Sequence, residues 1–221
     1  MTTQEKNGIT EGVIWKQLLI FFFPILVGSF FQQLYNTVDS VIVGQFVGKE
    51  ALSSVGGSAG QIISLVVGFF TGVSTGATVI ISQYFGAGKK EEIEESLHTA
   101  YAFALVGGLV LGIAGIVFAP QMLRWMNTPE ELIAESVLYV RVYFSGLIFI
   151  FIYNMGAAIL RAVGDSKRPL YYLIVCSVVN IILDLLLILV IPLGVLGAAI
   201  ATLIAQAVSA VLVRSEERRV G

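Results

Sequence analysis

The chain has 221 residues, of which 57% are hydrophobic and only 13% are charged, and its mean hydropathy is +0.89. This balance excludes an ordinary soluble domain and is typical of a protein that crosses a membrane several times. The net charge of −2 offers no basic surface for nucleic acid, and a single cysteine, Cys176, excludes a disulfide within the chain and a cysteine metal site.

Six apolar segments are long enough to cross about 30 Å of hydrocarbon as helices. The first lacks a small-residue cleavage site, so we interpret it as a transmembrane helix and not as a signal peptide. Residues 1–14 before it are predicted to be cytoplasmic. The predicted helices cover residues 15–43, 52–84, 97–118, 133–160, 170–191 and 195–213.

The first helix contains Pro24 and a polar stripe at spacings of three and four residues. A stripe of this kind points into the interior of a bundle. Neutral members of the stripe can serve as hydrogen-bonding links between helices, whereas a carboxylate in a membrane is a functional candidate. The stripe consists of Gln32, Tyr35, Asn36 and Asp39.

The second, third and fourth helices carry fewer functional signals. Six glycines in the second helix predict close packing against neighbouring helices. We expect a charged loop with a short surface helix before the third helix, and an interfacial turn over residues 120–131. In the fourth helix, Arg141 either extends to the interface or pairs with Glu135, and Asn154 either lines a cavity or bridges helices. The six glycines are Gly56, Gly57, Gly60, Gly68, Gly72 and Gly76.

The fifth helix contains Asp184 within the apolar run VVNIILDLLLILVI. An aspartate near the bilayer centre costs at least about 2.5–3.5 kcal/mol, so it is expected to face a protein-lined or wet cavity. Asn180 lies one helical turn earlier, where its amide oxygen can share a bound cation or a proton with the carboxylate. Asp39, Asp184 and Thr202 of the sixth helix all reach the outer half of the membrane, so the sequence predicts one shared site.

The distribution of cations predicts the orientation of the chain. If six helices alternate, most lysines and arginines fall on one side, which is the cytoplasmic side and includes the N-terminus. The opposite side receives Lys49, Arg124 and, depending on its depth, Arg141. The cytoplasmic set is Lys6, Lys16, Lys89, Lys90, Arg161, Lys167 and Arg168.

The last eight residues, RSEERRVG, interrupt the sixth helix with charge. Their reverse translation is similar to a common sequencing adapter. We therefore hypothesise that residues 214–221 are a non-native tail, added where the reading frame of a longer gene was truncated.

Five segments together resemble the N-terminal lobe of a multidrug and toxic compound extrusion (MATE) transporter. Each segment is weak alone, but their order along nearly the whole chain strengthens the resemblance. They are FPILVGSFFQQLYNTVDSVIVGQFVG, ISQYFGAGKKEE, RAVGDSKRP, NIILD and GAAIAT.

The resemblance implies an all-α, polytopic bundle of six transmembrane helices, which is half of a twelve-helix transporter in the plasma membrane. Such proteins are not enzymes; they export cationic, amphipathic drugs in exchange for Na⁺ or H⁺ by alternating access. The implied partners are therefore drug-like cations, membrane lipid and a missing C-terminal lobe, with no cofactor besides the coupling ion.

The resemblance also implies roles for particular residues. The coupling cation, including a possible Na⁺, is assigned to Asp39, Asn180, Asp184 and Thr202. Tyr35 and Asn154 match positions near the same pocket, and with Gln32 and Asn36 of the stripe they are predicted to line the substrate cavity. Neutralisation of the acids by the cation is expected to release the drug while the first helix bends near Pro24 or repacks.

Three other functions stay open. A related lipid-linked-precursor flippase would need a more cationic cavity, whereas the intramembrane charges here are mainly acidic. Two aspartates could form an intramembrane aspartyl protease, but LDLL stands around Asp184 in place of GxGD. The chain could also be a membrane fragment that transports nothing.

Overall fold

A computed structural model describes residues 13–220, and within this range the chain forms eight α-helices and no strand. The predicted segment 1–14, including Lys6, lies almost wholly outside the described residues. The helices are α1 (Ile14–Ile42), α2 (Lys49–Gly56), α3 (Ser58–Gly86), α4 (Lys90–Trp125), α5 (Glu130–Ser145), α6 (Leu147–Ala162), α7 (Lys167–Asp184) and α8 (Val195–Val220).

The described helices are long and apolar enough for up to six membrane crossings. Five spans in the described part of the chain are individually long and apolar enough, and α5 with α6 forms a sixth span that bends by 49° at Gly146. The predicted all-α membrane bundle is confirmed. The second predicted helix is divided into α2 and α3 at Gly57, and α2 is separated from α1 by Gly48, whose φ of 126° favours glycine.

Helix α4 is longer at both ends than the sequence predicts. The charged segment expected to be a loop with a short surface helix forms the first turns of α4, and the helix continues through Pro120. Pro120 has no N–H to donate to the Ile116 carbonyl one turn earlier. Arg141 Nε donates to that carbonyl at 3.1 Å, so the predicted pairing of Arg141 with Glu135 is wrong.

Two further boundaries differ from the sequence prediction. Helix α7 begins at Lys167, so Pro169 lies in its first turn, where a missing N–H costs no helical hydrogen bond. Helix α8 continues to Val220, and the charges of the C-terminal segment therefore do not end it.

The glycines pack in α4 and not, as predicted, along most of α3. A Cβ at Gly108 would lie 2.9 Å from the Ile148 Cα, and one at Gly115 would overlap the Phe144 ring. In contrast, a Cβ at Gly68 or Gly72 would meet no atom within 4 Å. The predicted packing role is therefore wrong for these α3 positions, because no helix of the described chain approaches them.

The packing order leaves a cavity between α1 and α3. Helix α1 packs on α7, α7 on α8, and α8 on α5 and α6, while α3 packs on α6 and α4. After Ile42, α1 continues as a wide π-helical turn over Val43–Val47. After Asp184, α7 continues as a second such turn over Leu185–Val190. These two turns contact each other at one end of the bundle.

Candidate functional site: a membrane cavity beside a buried acidic pair

A cavity of about 790 Å³ lies between α1 and α3, and α5 to α8 complete its wall. This volume falls within the range of pockets that hold drug-sized molecules. Six of the residues predicted to belong to the site line this cavity. They are Gln32, Tyr35, Asn36, Asp39, Asn154 and Thr202.

Asp39 and Asp184 meet because α1 and α7 run side by side. A Cβ at Gly28 would lie 3.6 Å from Leu170, near the start of α7. Asp39 follows Gly28 by 11 residues and Asp184 follows Leu170 by 14, so both helices bring their acid to the same end of the bundle. The two carboxyl groups lie within hydrogen-bonding reach of each other.

The two acids have different access to the cavity. Asp39 is half-buried and lines the cavity, whereas Asp184 and Asn180 have no exposed surface and lie behind the wall. Two charged carboxylates repel at this range, and a shared proton or an intervening cation would stabilise the pair. One oxygen of each acid, Oδ1, is buried without a hydrogen-bond partner among the described residues.

Asn180 fixes the position of Asp184 with its amide nitrogen. The orientation that satisfies both ends of the amide has Nδ2 donating to Asp184 Oδ2 at 2.9 Å, while the amide oxygen accepts from the Thr202 backbone N–H at 3.2 Å. The sequence prediction assigned the amide oxygen to the coupling cation. The other orientation of the amide meets this prediction, because it directs the oxygen toward Asp184 and places Nδ2 3.4 Å from Thr202 Oγ1.

Asn154 lines the cavity, and its Nδ2 donates to the Ile150 carbonyl of its own helix at 2.9 Å. Of the two alternatives left open by the sequence, the structure therefore places Asn154 on the cavity wall. Its amide oxygen gives this part of the wall a hydrogen-bond acceptor.

Three tyrosines of the cavity wall were not identified from the sequence. Tyr139 and Tyr143 lie one turn apart on α5, with ring centroids separated by 6.2 Å, and Tyr153 lies on α6. The spacing of Tyr139 and Tyr143 was the available signal, because it places both rings on one helical face. Their rings and hydroxyls offer contacts to an amphipathic organic cation.

Arg161 also lines the cavity, although the sequence indicated only that it belongs to a cytoplasmic cationic loop. It is the second-last residue of α6 and is half-buried. The cavity wall therefore carries one acid, Asp39, and one cation, Arg161, so its charge is not solely acidic.

Comparison with known proteins identifies the family. The family model for MatE matches residues 24–186. The chain is 34% identical over 208 residues to the probable multidrug resistance protein YoeA of Bacillus subtilis, covering 92% of this chain and 44% of that protein. Over 203 residues it is also 34% identical to the probable multidrug resistance protein YpnP of the same organism, covering 90% of this chain and 45% of that protein.

Comparison with solved structures identifies the same family. A solved outward-facing structure of a multidrug resistance MATE family transporter superimposes with a TM-score of 0.89 at 27% identity, covering 96% of this chain and 47% of that one. The chain thus spans about half the length of the relatives it matches. Its sequence, its helical bundle and its family-model match together show that this chain belongs to the MATE family of transporters.

Proposed function

We propose that the chain forms one lobe of a cation-coupled exporter of amphipathic organic cations. The observation that carries this proposal is the Asp39–Asp184 pair, in which one acid faces a drug-sized cavity and the other is buried behind its wall. The multidrug resistance names of the relatives support the same class of substrate.

The acidic pair couples the two binding events through competition. With Asp39 ionised, its carboxylate attracts an organic cation in the cavity, and the neighbouring tyrosine rings bind the apolar body of that molecule. Uptake of a proton by the Asp39–Asp184 pair lowers its negative charge by one unit and weakens the attraction. Alternating access then needs only that the outward-facing state takes up the proton and releases the drug.

The arrangement of Asn180 favours H⁺ over Na⁺ as the coupling ion. Na⁺ prefers oxygen ligands, but the amide of Asn180 makes both of its hydrogen bonds only when its nitrogen faces Asp184 and its oxygen accepts from the Thr202 N–H. Binding of Na⁺ with the amide as a ligand would require the opposite orientation, in which the amide oxygen faces Asp184. A proton between two carboxyl groups requires no such change.

The complete transporter is proposed to have a second lobe and a cytoplasmic N-terminus. The cations of the α3–α4 and α6–α7 connections lie at the same end of the bundle as Lys16, which supports this orientation. The protease hypothesis is not favoured, because Asp184 is fully buried and would not reach a peptide in the cavity.

The test is dye efflux from proteoliposomes that contain the full-length transporter including this lobe. We expect an imposed pH gradient to drive efflux and a sodium gradient alone to have no effect. Asp184→Asn should abolish efflux with unchanged membrane insertion, while the exposed-site control Glu135→Gln should retain it. Efflux by Asp184→Asn at the wild-type rate would reject the assignment, and efflux driven only by sodium would reject H⁺ coupling.

A further inference from the structure

We infer that a groove between α3 and α4 binds a phospholipid whose zwitterionic headgroup carries a primary ammonium, as phosphatidylethanolamine does. The inference goes beyond the proposed function, and it depends neither on the coupling ion nor on the substrate of the cavity. The lining of this α3–α4 groove includes Val73, Ile80 and Tyr84 of α3 and Glu92, Glu95 and Phe103 of α4.

The α3–α4 groove is separate from the cavity between α1 and α3. Its volume is about 590 Å³. Thr71 of α3 lines the cavity, whereas Val73 lines the groove. Positions two residues apart are separated by about 200° around a helix, so these two side chains point in nearly opposite directions. The groove therefore lies on the side of α3 that faces away from the cavity.

The length of the α3–α4 groove matches one leaflet of a membrane. Tyr84 follows Val73 by 11 residues, and Phe103 follows Glu92 by the same number on α4, which runs back along α3. At the rise of an α-helix this length is about 16 Å, which is half of the hydrocarbon thickness of about 30 Å. The groove therefore fits a lipid of the leaflet on the side of the α3–α4 connection.

The two ends of the groove differ in polarity in the way that a lipid does. The end far from the α3–α4 connection is apolar, and a Cβ at Gly76 would meet no atom within 4 Å there. The end near the connection contains Tyr84, Ser96 and the two glutamates. Tyrosine is enriched where a membrane protein meets the headgroups. An acyl chain thus matches one end and a headgroup the other.

The charges at the polar end favour a headgroup that carries a cation. Glu95 is exposed and forms no ion pair with any side chain that the structure describes. Glu92 pairs with Lys89 at 3.0 Å, and Lys89 Nζ lies 5.9 Å from the centre of the Tyr84 ring. Residues 90–95 carry one lysine and four glutamates, so this end of the groove is negative. A lipid with only a negative charge would be repelled.

Hydrogen bonding distinguishes a primary ammonium from a quaternary one. An –NH₃⁺ group has three N–H donors, which can bridge the carboxylates of Glu92 and Glu95 one turn apart on α4. The phosphate of the same headgroup can accept from Lys89, which already lies beside Glu92. The trimethylammonium of phosphatidylcholine has no N–H to donate. Phosphatidylethanolamine therefore fits the polar end better than phosphatidylcholine does.

The test places a tryptophan in the groove and measures its quenching by lipids with brominated acyl chains. The variant Phe103→Trp of the full-length transporter is reconstituted in phosphatidylcholine with increasing fractions of brominated phosphatidylethanolamine, phosphatidylcholine or phosphatidylglycerol. The signal of the same protein without this substitution is subtracted. We expect phosphatidylethanolamine to bind about three- to fivefold more tightly than either other lipid, as an exposed ion pair predicts.

Two pairs of variants in the Phe103→Trp protein assign this preference to the groove. Glu95→Gln should reduce it to less than about 1.5-fold, because the ammonium loses a charged acceptor. Glu91→Gln, exposed on the same turns but outside the groove lining, should retain it. Gly76→Leu fills the apolar end and should also abolish the preference. Gly72→Leu, which meets open space outside the groove, should not.

A second reporter position separates the groove from the rest of the lipid boundary. Val110→Trp lies two turns further along α4 on a surface that is 57% exposed, and it should show no preference among the lipids. A preference shared by Val110→Trp, or retained in Glu95→Gln, would overturn the inference. Equal binding of the three lipids at Phe103→Trp would show that any acyl chain occupies the groove and would overturn it too.

The absence of quenching at Phe103→Trp by every lipid would show that protein covers the groove, either the second lobe or another copy of the chain. This outcome would also overturn the inference. The quenching experiment needs neither an ion gradient nor a transported substrate. Failure of coupled efflux therefore leaves it unaffected, and loss of the lipid preference leaves the efflux assignment of Asp184 unaffected.

Discussion

Helices α3 and α4 are both rich in glycine, yet they differ in what meets those glycines. Gly108, Gly112 and Gly115 of α4 lie against α5 and α6, where Phe144 and Ile148 occupy the space that a side chain would fill. Gly68 of α3 faces the cavity and meets no neighbouring atom. A glycine pattern therefore permits close approach, but the surrounding bundle determines whether a helix or a ligand occupies the space.

Two adjacent phenylalanines test whether α3 has one packed face and one open face, and they give the largest expected effect. Phe70 is 1% exposed and packs against the rings of Phe103 and Phe151, whereas Phe69 is 60% exposed. Phe70→Ala should lower the free energy of unfolding by on the order of 3 kcal/mol, because it leaves a cavity in the packed core. The matched control Phe69→Ala should change it by less than about 0.5 kcal/mol.

These free energies can be measured by circular dichroism during titration with SDS in mixed micelles. Equal destabilisation by both variants would show that α3 is packed on both faces. That outcome would contradict the division of the helix into a packed face and an open face.

The two sets of glycines provide a second pair of variants. Gly115→Ala places a Cβ against the Phe144 ring and should cost about 1–3 kcal/mol through overpacking. Gly72→Ala meets open space and should stabilise the helix by about 0.5–1 kcal/mol, since alanine is the better helix former. The same titration measures both, and a stabilising Gly115→Ala would exclude the close contact between α4 and α5.

A third prediction concerns the link that lets α4 continue through Pro120. Arg141→Met should cost about 1.5–3 kcal/mol because the Ile116 carbonyl loses its donor. In a Pro120→Ala background the restored N–H can bond that carbonyl, so the cost of Arg141→Met should fall by about 1 kcal/mol. A double-mutant cycle measures this coupling. Strictly additive effects would mean that Arg141 does not act through the carbonyl that Pro120 leaves free.

The last prediction separates stability from binding at Gly68. Gly68→Leu should not lower the free energy of unfolding, because the new side chain enters open space and leucine is a better helix former than glycine. It should nevertheless weaken the binding of a fluorescent organic cation to the full-length transporter, since Gly68 lines the cavity. Unchanged affinity for this dye, measured by fluorescence polarisation, would show that this wall of the cavity does not contact it.

Helical periodicity explains why part of the site could be predicted from the sequence. Spacing and depth alone placed Asp39, Asp184 and Thr202 at one end of the bundle, because a rise of about 1.5 Å per residue fixes position along an axis. Periodicity does not specify which end of an amide faces a neighbour, so the orientation of Asn180 could not be predicted.

The cavity-lining residues of α5 and α6 could also not be predicted from sequence patterns. The 49° bend at Gly146 divides one predicted helix in two, and residues from both halves, including Tyr139 and Arg161, line the cavity. A straight helix offers a single face to one side of a bundle. The bend depends on tertiary packing around a glycine that looks ordinary in the sequence.

The two π-helical turns next to the acidic pair have a consequence for motion. A π-helical turn contains one residue more than the α-helical register requires, and such turns recur at functional sites. If this extra residue moves one turn toward the N-terminus of α7, the backbone keeps nearly all of its hydrogen bonds while Asp184 rotates by about 100° around the helix axis. Rotation of this carboxyl group away from α1 therefore requires neither unwinding of α7 nor a separate hinge.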